Sequence, residues 1–300
     1  MSAQTVLRAR RQAHSKVARF RLDVAEWTVL RSALLSRAPA SGTPAGFEPE
    51  SFGLDPDRPL TDEQRARAWA GLQLRGLASH VPAQDTITAL TPPCVLGMLQ
   101  LLESEVRVDV ATWSGDVVVN QAVAWSAGRT AAVSRRRRQS GVTGGVAALE
   151  QEPVVEVSLS AAGGLLNEVV RALPGPTASF GPEHRSPVRV GWPESAAIAQ
   201  AMRSGRQDVA AHLAGLPTSA LSVLGSLSGD VTGGASVSAV RLRGAEALAF
   251  RGVWMWTEAD VVELVDASSR AVTLRRTDLG QVRQELLSAL TGLLHAEEVL

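Results

Sequence analysis

Val106-Arg107-Val108-Asp109-Val110-Ala111 alternates apolar and polar residues with a period of two, the pattern of a half-buried β-strand. Ser114-Gly115-Asp116 follows as a tight-turn signal, and Val117, Val119, Val123 and Trp125 carry the alternation into a second strand. Together they predict an antiparallel hairpin. Downstream, Arg129 to Arg135 reads as a weaker third strand, and Val155, Val157 and Leu159 as a fourth. Ser160 then caps a helix through Leu165, Leu166, Val169, Val170 and Leu173, which Pro174-Gly175 ends.

Upstream of the hairpin the period is helical. Val17 to Leu22 predicts a short strand, and Asp23 with Glu26 three residues on forms a capping box. Val24, Trp27, Leu30 and Leu34 recur at helical spacing until Pro39. Residues 39–59, rich in Pro, Gly and Ser, read as a long connection. Thr61 and Gln64 open a second helix through Trp69 and Leu72 that Gly76 terminates. Pro92 sits at the first position of a third, through Val95, Leu99 and Leu102.

The second half repeats this order. Helical segments are expected at Pro193 to Ser204, Arg206 to Ala214 and Thr218 to Leu227. Strands follow at Ser236 to Arg243, Ala247 to Trp256, Asp260 to Val265 and Ala271 to Arg275, and Thr277 caps a last helix through Leu279, Val282, Leu286, Leu290 and Leu293. Glu168-Val169-Val170-Arg171-Ala172-Leu173 matches Glu285-Leu286-Leu287-Ser288-Ala289-Leu290 in pattern. The expected organisation is a basic, disordered leader at 1–16 and one pseudo-symmetric α+β domain at 17–300, with halves at 17–175 and 190–295. Alone, each half would expose a sheet edge and a bare sheet face, and joining them buries both.

Composition removes several classes of function. Thirty basic residues balance thirty acidic ones, so the chain as a whole has no net attraction to nucleic acid or anionic lipid. Cys94 is the only cysteine, which excludes an internal disulfide framework and a multi-cysteine zinc site. No window approaches the roughly 18 apolar residues of a membrane span, and no apolar segment follows the basic start as in a signal peptide, so the expected compartment is the cytoplasm. The sequence holds no phosphate loop, no spaced-glycine fingerprint and no nucleophile elbow. His14, His80, His184, His212 and His295 are isolated, so no metal, no cofactor and no catalytic residue is expected.

Arg135-Arg136-Arg137-Arg138 is the most conspicuous charge run. It suits oxyanion or acidic-partner contact, but it opens a glycine-containing segment ending at Pro153, and residues 136–153 read as a solvated, flexible insertion loop. Trp113, Trp125, Trp254 and Trp256 stand at strand spacing and are expected in the core. Residues 226–234 read equally as a mobile contact loop and as a linker into the next strand.

The chain resembles the EspG family, the chaperones associated with type VII (ESX) secretion in actinobacteria. The resemblance is carried by Phe20-Arg21-Leu22-Asp23-Val24-Ala25-Glu26-Trp27, by the helix Glu63 to Leu77 ending Leu72-Gln73-Leu74-Arg75-Gly76-Leu77, by the hairpin Val106 to Trp125, and by the closing strand and helix Val272 to Leu294. It implies a quasi-two-fold fold, a central antiparallel sheet flanked by two helical bundles. It also implies a cytosolic adaptor without enzymatic activity that holds helical secretion substrates (PE/PPE-like or WXG-type heterodimers) by their apolar tips. The family's contact regions correspond here to Ser114, Gly115 and Asp116, and to the segment containing Leu224, Leu227, Ser228, Gly229 and Asp230. On this reading Leu224 and Leu227 supply apolar contact and Asp116 and Asp230 fix orientation, with both leucines packing inside their own bundle as the competing placement. No nucleic acid and no membrane insertion are expected, and a weak homodimer is allowed. The alternative from another class is a nucleic-acid-binding or regulatory protein using the leader and Arg135–Arg138.

Overall fold

The computed structural model describes residues 17–36, 59–102, 104–126, 128–143, 146–161, 164–173, 187–215, 231–243, 246–256 and 261–295. The first half runs β1 (Ala18–Asp23), α1 (Val24–Leu35), α2 (Asp62–Leu74), a 3-10 turn (Ile87–Ala89) and α3 (Pro92–Leu102). It continues with β2 (Val106–Ser114), β3 (Val117–Ser126), β4 (Arg129–Thr143), β5 (Val146–Ala161) and α4 (Gly164–Ala172). The second half runs β6 (Val188–Gly191), α5 (Trp192–Arg203), α6 (Gln207–Ala214), β7 (Gly233–Arg243), β8 (Glu246–Trp256), β9 (Val261–Ala267), β10 (Ala271–Thr277) and α7 (Leu279–His295). A strand, helices, four strands and a closing helix thus occur twice. The helix expected at Thr218 to Leu227 lies outside the described residues.

Strands hydrogen-bond in the order β1-β5-β4-β3-β2-β7-β8-β9-β10-β6. Read from either end the sequence of roles is the same: the opening strand of a half, then the last, third, second and first of its run of four. The pairs β1–β5, β3–β4, β4–β5, β8–β9, β9–β10 and β10–β6 are antiparallel. The chain divides into two compact units, the first comprising Met1–Val110, Val117–Ala172 and Ala239–Leu248, and the second Ala111–Asp116, Leu173–Ser238 and Ala249–Leu300. Strands β2, β7 and β8 therefore each contribute residues to both.

In the first unit, local caps set the helices and the strand period sets their docking face. Asp23 Oδ1 accepts the Glu26 amide at 2.7 Å, while Glu26 Oε2 accepts the Asp23 amide at 2.9 Å. Thr61 and Gln64 make the same reciprocal box on α2. Trp27, Leu30 and Leu34 of α1, Trp69 and Leu72 of α2, and Cys94 and Met98 of α3 pack in one core with Ala122, Ala131, Val133, Val155 and Val157 of the strands. The opposite strand face carries Gln121 and Val123, and Gln121 Nε2 donates to Glu168 of α4 at 3.4 Å. Buried Glu168 also receives Arg19 at 2.7 Å and Arg171 at 3.0 Å.

In the second unit, Val188, Val190, Ile198, Ala201, Ala210, Val262, Val272 and Leu274 join β6, β9 and β10 to α5 and α6. Helix α7 buries the stripe Leu279, Val282, Leu286, Leu290 and Leu293. Arg275 ties it to the sheet, donating to Glu263 at 2.7 Å and to Glu285 at 3.0 Å.

Three local expectations are corrected. Residues 136–143 and 146–153 are strand, not a flexible insertion loop: Val117 to Ser126 pair with Arg138 to Arg129, and β4 pairs with β5 out to Thr143 and Val146. A strand ladder joins backbone groups, so an arginine run does not break it when each aliphatic stem lies along the sheet. Pro153, which lacks an N–H, falls where the β4–β5 register shifts between Arg135 and Arg137, a bulge that accommodates it. Ser160 lies in β5 and does not cap α4, which begins at Gly164. Thr277 ends β10, and it is Asp278 that caps α7, accepting the Gln281 amide at 2.9 Å.

Candidate partner-binding site

Among the expected contact residues, Ser114, Gly115 and Asp116 lie at one exposed corner of the second unit. Gly115 and Asp116 form the loop between β2 and β3, and Gly115 takes φ +56° with open space where a side chain would begin. Its requirement for glycine is therefore conformational and not a matter of room. The Gly115 amide donates to the Thr232 carbonyl at 3.2 Å, and the Thr232 amide donates in turn to the Trp256 carbonyl at 2.9 Å. The turn is thereby tied to the start of β7 and the end of β8.

Trp113 and Trp256 stack beneath this corner, their ring centroids 6.4 Å apart and their planes 17° from parallel. Both rings are half-buried, so they are not wholly core as the sequence suggested; Trp254, at 1% exposure, is. Gly233 and Gly234 make the approach feasible, because a Cβ on either would collide with the Trp256 or Trp113 ring. Val231, immediately before Thr232, is 44% exposed. The corner thus offers an apolar patch rimmed by hydroxyl, carboxylate and turn amide groups, a composition suited to a protein partner. Leu224, Leu227, Ser228, Gly229 and Asp230 lie outside the described residues, as do His14 and His184.

The described residues contain no cluster of three or more His, Cys, Asp or Glu side chains that would hold a metal ion. Cys94 is buried, and desolvation pushes its thiol up to about 12, which removes the thiolate a nucleophile needs. His80 accepts or donates a single bond with Ser79, and His212 and His295 stand at the last turns of α6 and α7. A cleft of about 340 Å³ opens in the first unit beside Arg21, Gln121, Arg136, Glu152, Glu156 and Arg171. Its carboxylates form ion pairs, Glu156 with Arg171 at 2.7 Å and Glu152 with Arg138 at 3.6 Å.

The arginine run does not form one basic patch. Strand alternation sends Arg136 and Arg138 toward the cleft side of β4 and Arg135 and Arg137 toward the α1 side, and Arg135 is buried at 3% exposure. Nothing in the sequence alone announced this burial, because it depends on the register between β4 and β5. No helix among the described residues is long and apolar enough to cross a membrane.

No protein-family model matches the chain, and no curated protein is similar to it in sequence. Solved structures are more informative. The Mycobacterium tuberculosis type VII secretion system chaperone EspG5, determined in complex with a PE25–PPE41 dimer, superposes with a TM-score of 0.53 over 91% of this chain and 96% of its own, at 14% identity. The M. tuberculosis double-hotdog protein RV0216, aligned over 88% of this chain and 95% of its own at 9% identity, reaches a TM-score of only 0.15, too low to bear on the fold. The repeated order of strands and helices, the large antiparallel sheet and the end-to-end superposition on EspG5 give this chain the EspG fold.

Proposed function

We propose that this protein is a type VII secretion chaperone that binds helical substrates of the PE/PPE or WXG kind in the cytoplasm and keeps their apolar tips covered until export. The observation that carries the reading is the likeness to EspG5 along nearly the whole of both chains, in a structure where EspG5 is in complex with PE25–PPE41. The corner formed by Ser114, Gly115, Asp116 and Val231 over the Trp113–Trp256 stack is the contact surface in this reading, together with Leu224, Leu227, Ser228, Gly229 and Asp230.

Surface physics sets the affinity such a carrier requires. Burying ~400 Å² of apolar helix tip yields about 10 kcal/mol at 25 cal/mol/Å². Association itself costs about 4–15 kcal/mol, so the net binding is moderate. Moderate binding serves a carrier, because the substrate must later be handed on. No catalytic step is assigned.

Affinity capture from the native cytosol, followed by identification of the bound proteins, tests the reading. A paired helical secretion substrate held in stoichiometric amount is the expected result. Binding to generic DNA that weakens steeply with salt, and no such substrate, would replace it with the nucleic-acid reading.

A further inference from the structure

Burial of Arg135 leaves its guanidinium without a counter-ion. All three of its nitrogens are inaccessible and have no hydrogen-bond partner, and Cζ lies 5.7 Å from the centroid of the Trp27 ring. Stacking on an aromatic face accommodates a cation but satisfies none of its N–H groups. One turn along α1 from Trp27, Arg31 also has a buried, unpartnered Nε, and so does the Trp27 indole at Nε1. On the sheet, Arg137 shares the face of Arg135 two residues on, and its register partner Gln151 has an unpartnered, buried Nε2. Glu26, the residue before Trp27, is already engaged by Arg75 and by the Asp23 amide.

The pattern is one-sided. Trp27, Arg31, Arg135 and Gln151 present unsatisfied nitrogen donors, and none of the four groups finds an acceptor. Buried cations are ordinarily paired, and here desolvation, with repulsion from Arg137 and then Arg31 added to it, holds Arg135 down to about 9. At neutral pH the group is still charged. What the cluster lacks is an oxygen-bearing anion, the ligand that forked guanidinium donors match best.

We propose that Arg31, Arg135, Arg137 and Gln151 form a site for a small oxyanion, phosphate or carboxylate, held beside Trp27 between α1 and the β4–β5 hairpin. This site is independent of the substrate-binding reading and lies in the other compact unit.

The test is calorimetry and thermal unfolding of the full chain titrated with sodium phosphate and, separately, sodium glutarate, against sodium chloride at matched ionic strength. The expected result is a saturable heat and a rise in Tm of about 2 °C or more with at least one of the two anions. Arg135→Leu should abolish both responses, and Arg31→Gln, on a half-buried residue, should weaken binding by about tenfold. Saturation by phosphate alone identifies a free phosphate-type ligand, and by glutarate alone a carboxylate; either supports the site. Equal responses in the native chain and Arg31→Gln, or no saturable response to either anion, would overturn it whether or not Arg135→Leu folds.

Discussion

Thr232 joins two parts of the proposed contact corner through its backbone, accepting the Gly115 amide at 3.2 Å and donating to the Trp256 carbonyl at 2.9 Å. The turn between β2 and β3 therefore cannot shift without disturbing the residue that leads into β7. Placement of the exposed groups is set by main-chain bonds and by the two stacked rings beneath them, a rigid support for a contact surface.

Gly234→Ala should test that support. A Cβ there collides with the Trp113 ring, which has Trp256 stacked against it. Overpacking of this kind costs about 1–3 kcal/mol. Urea unfolding should show the loss, and tryptophan near-ultraviolet circular dichroism should change with it.

Asp116→Arg and Leu227→Asp address binding. Asp116 is exposed on the turn, so its replacement should leave Tm nearly unchanged while lowering the amount of helical substrate that co-purifies. Leu227, outside the described residues, is expected to behave in the same way. A fall in Tm of many degrees for Leu227→Asp would place that leucine inside its own helical bundle and remove it from the contact surface.

The charge state of Arg135 gives a pH dependence with a defined sign. Its value in the folded chain, about 9, lies well below the ordinary arginine range, so above pH 9 the unfolded chain holds a proton that the folded chain has released. Stability contributed by this group therefore rises with pH from about 9 up to the ordinary arginine range, and its destabilising effect is fully present below 9. Without added oxyanion, Arg135→Leu should be as stable as the native chain or more so at pH 7, and the difference should shrink from pH 9 upward. Paired chemical-denaturation curves at pH 7 and pH 10 provide the comparison.

Cys94 supplies a probe of opening. With 2% of its surface exposed and its thiol raised to about 12, it should react with an aromatic disulfide reagent at pH 8 at least about a hundredfold more slowly than the same chain in denaturant. Rapid labelling under native conditions would show that the core beneath α3 opens locally.

Much of this architecture was legible where the determinants are local. Asp23 and Glu26, and Thr61 and Gln64, announce their helices because both members of each box sit within one turn. Gly115 marks the hairpin because the left-handed conformation selects glycine. Long-range register was not legible. Pro153 resembles a strand terminator until β4 and β5 are seen to slip past each other at Arg135, and four arginines resemble a solvated loop until alternation divides them between two faces. The stacking of Trp113 on Trp256 joins strands far apart in the chain, so spacing alone left both rings assigned to the core.

The placement of β1 and β6 at the two ends of the strand order has a consequence for the order of assembly. Ala18 pairs with Leu159 and Asp23 with Val154, so during synthesis β1 waits for the last strand of its half. The second half repeats the delay on a smaller scale, with Val188 waiting for Leu274. Such distant closures slow folding. During translation the nascent chain carries β1 with its hydrogen-bonding groups open, and the charged Arg19 and Arg21 along it are the safeguard against pairing with a stranger.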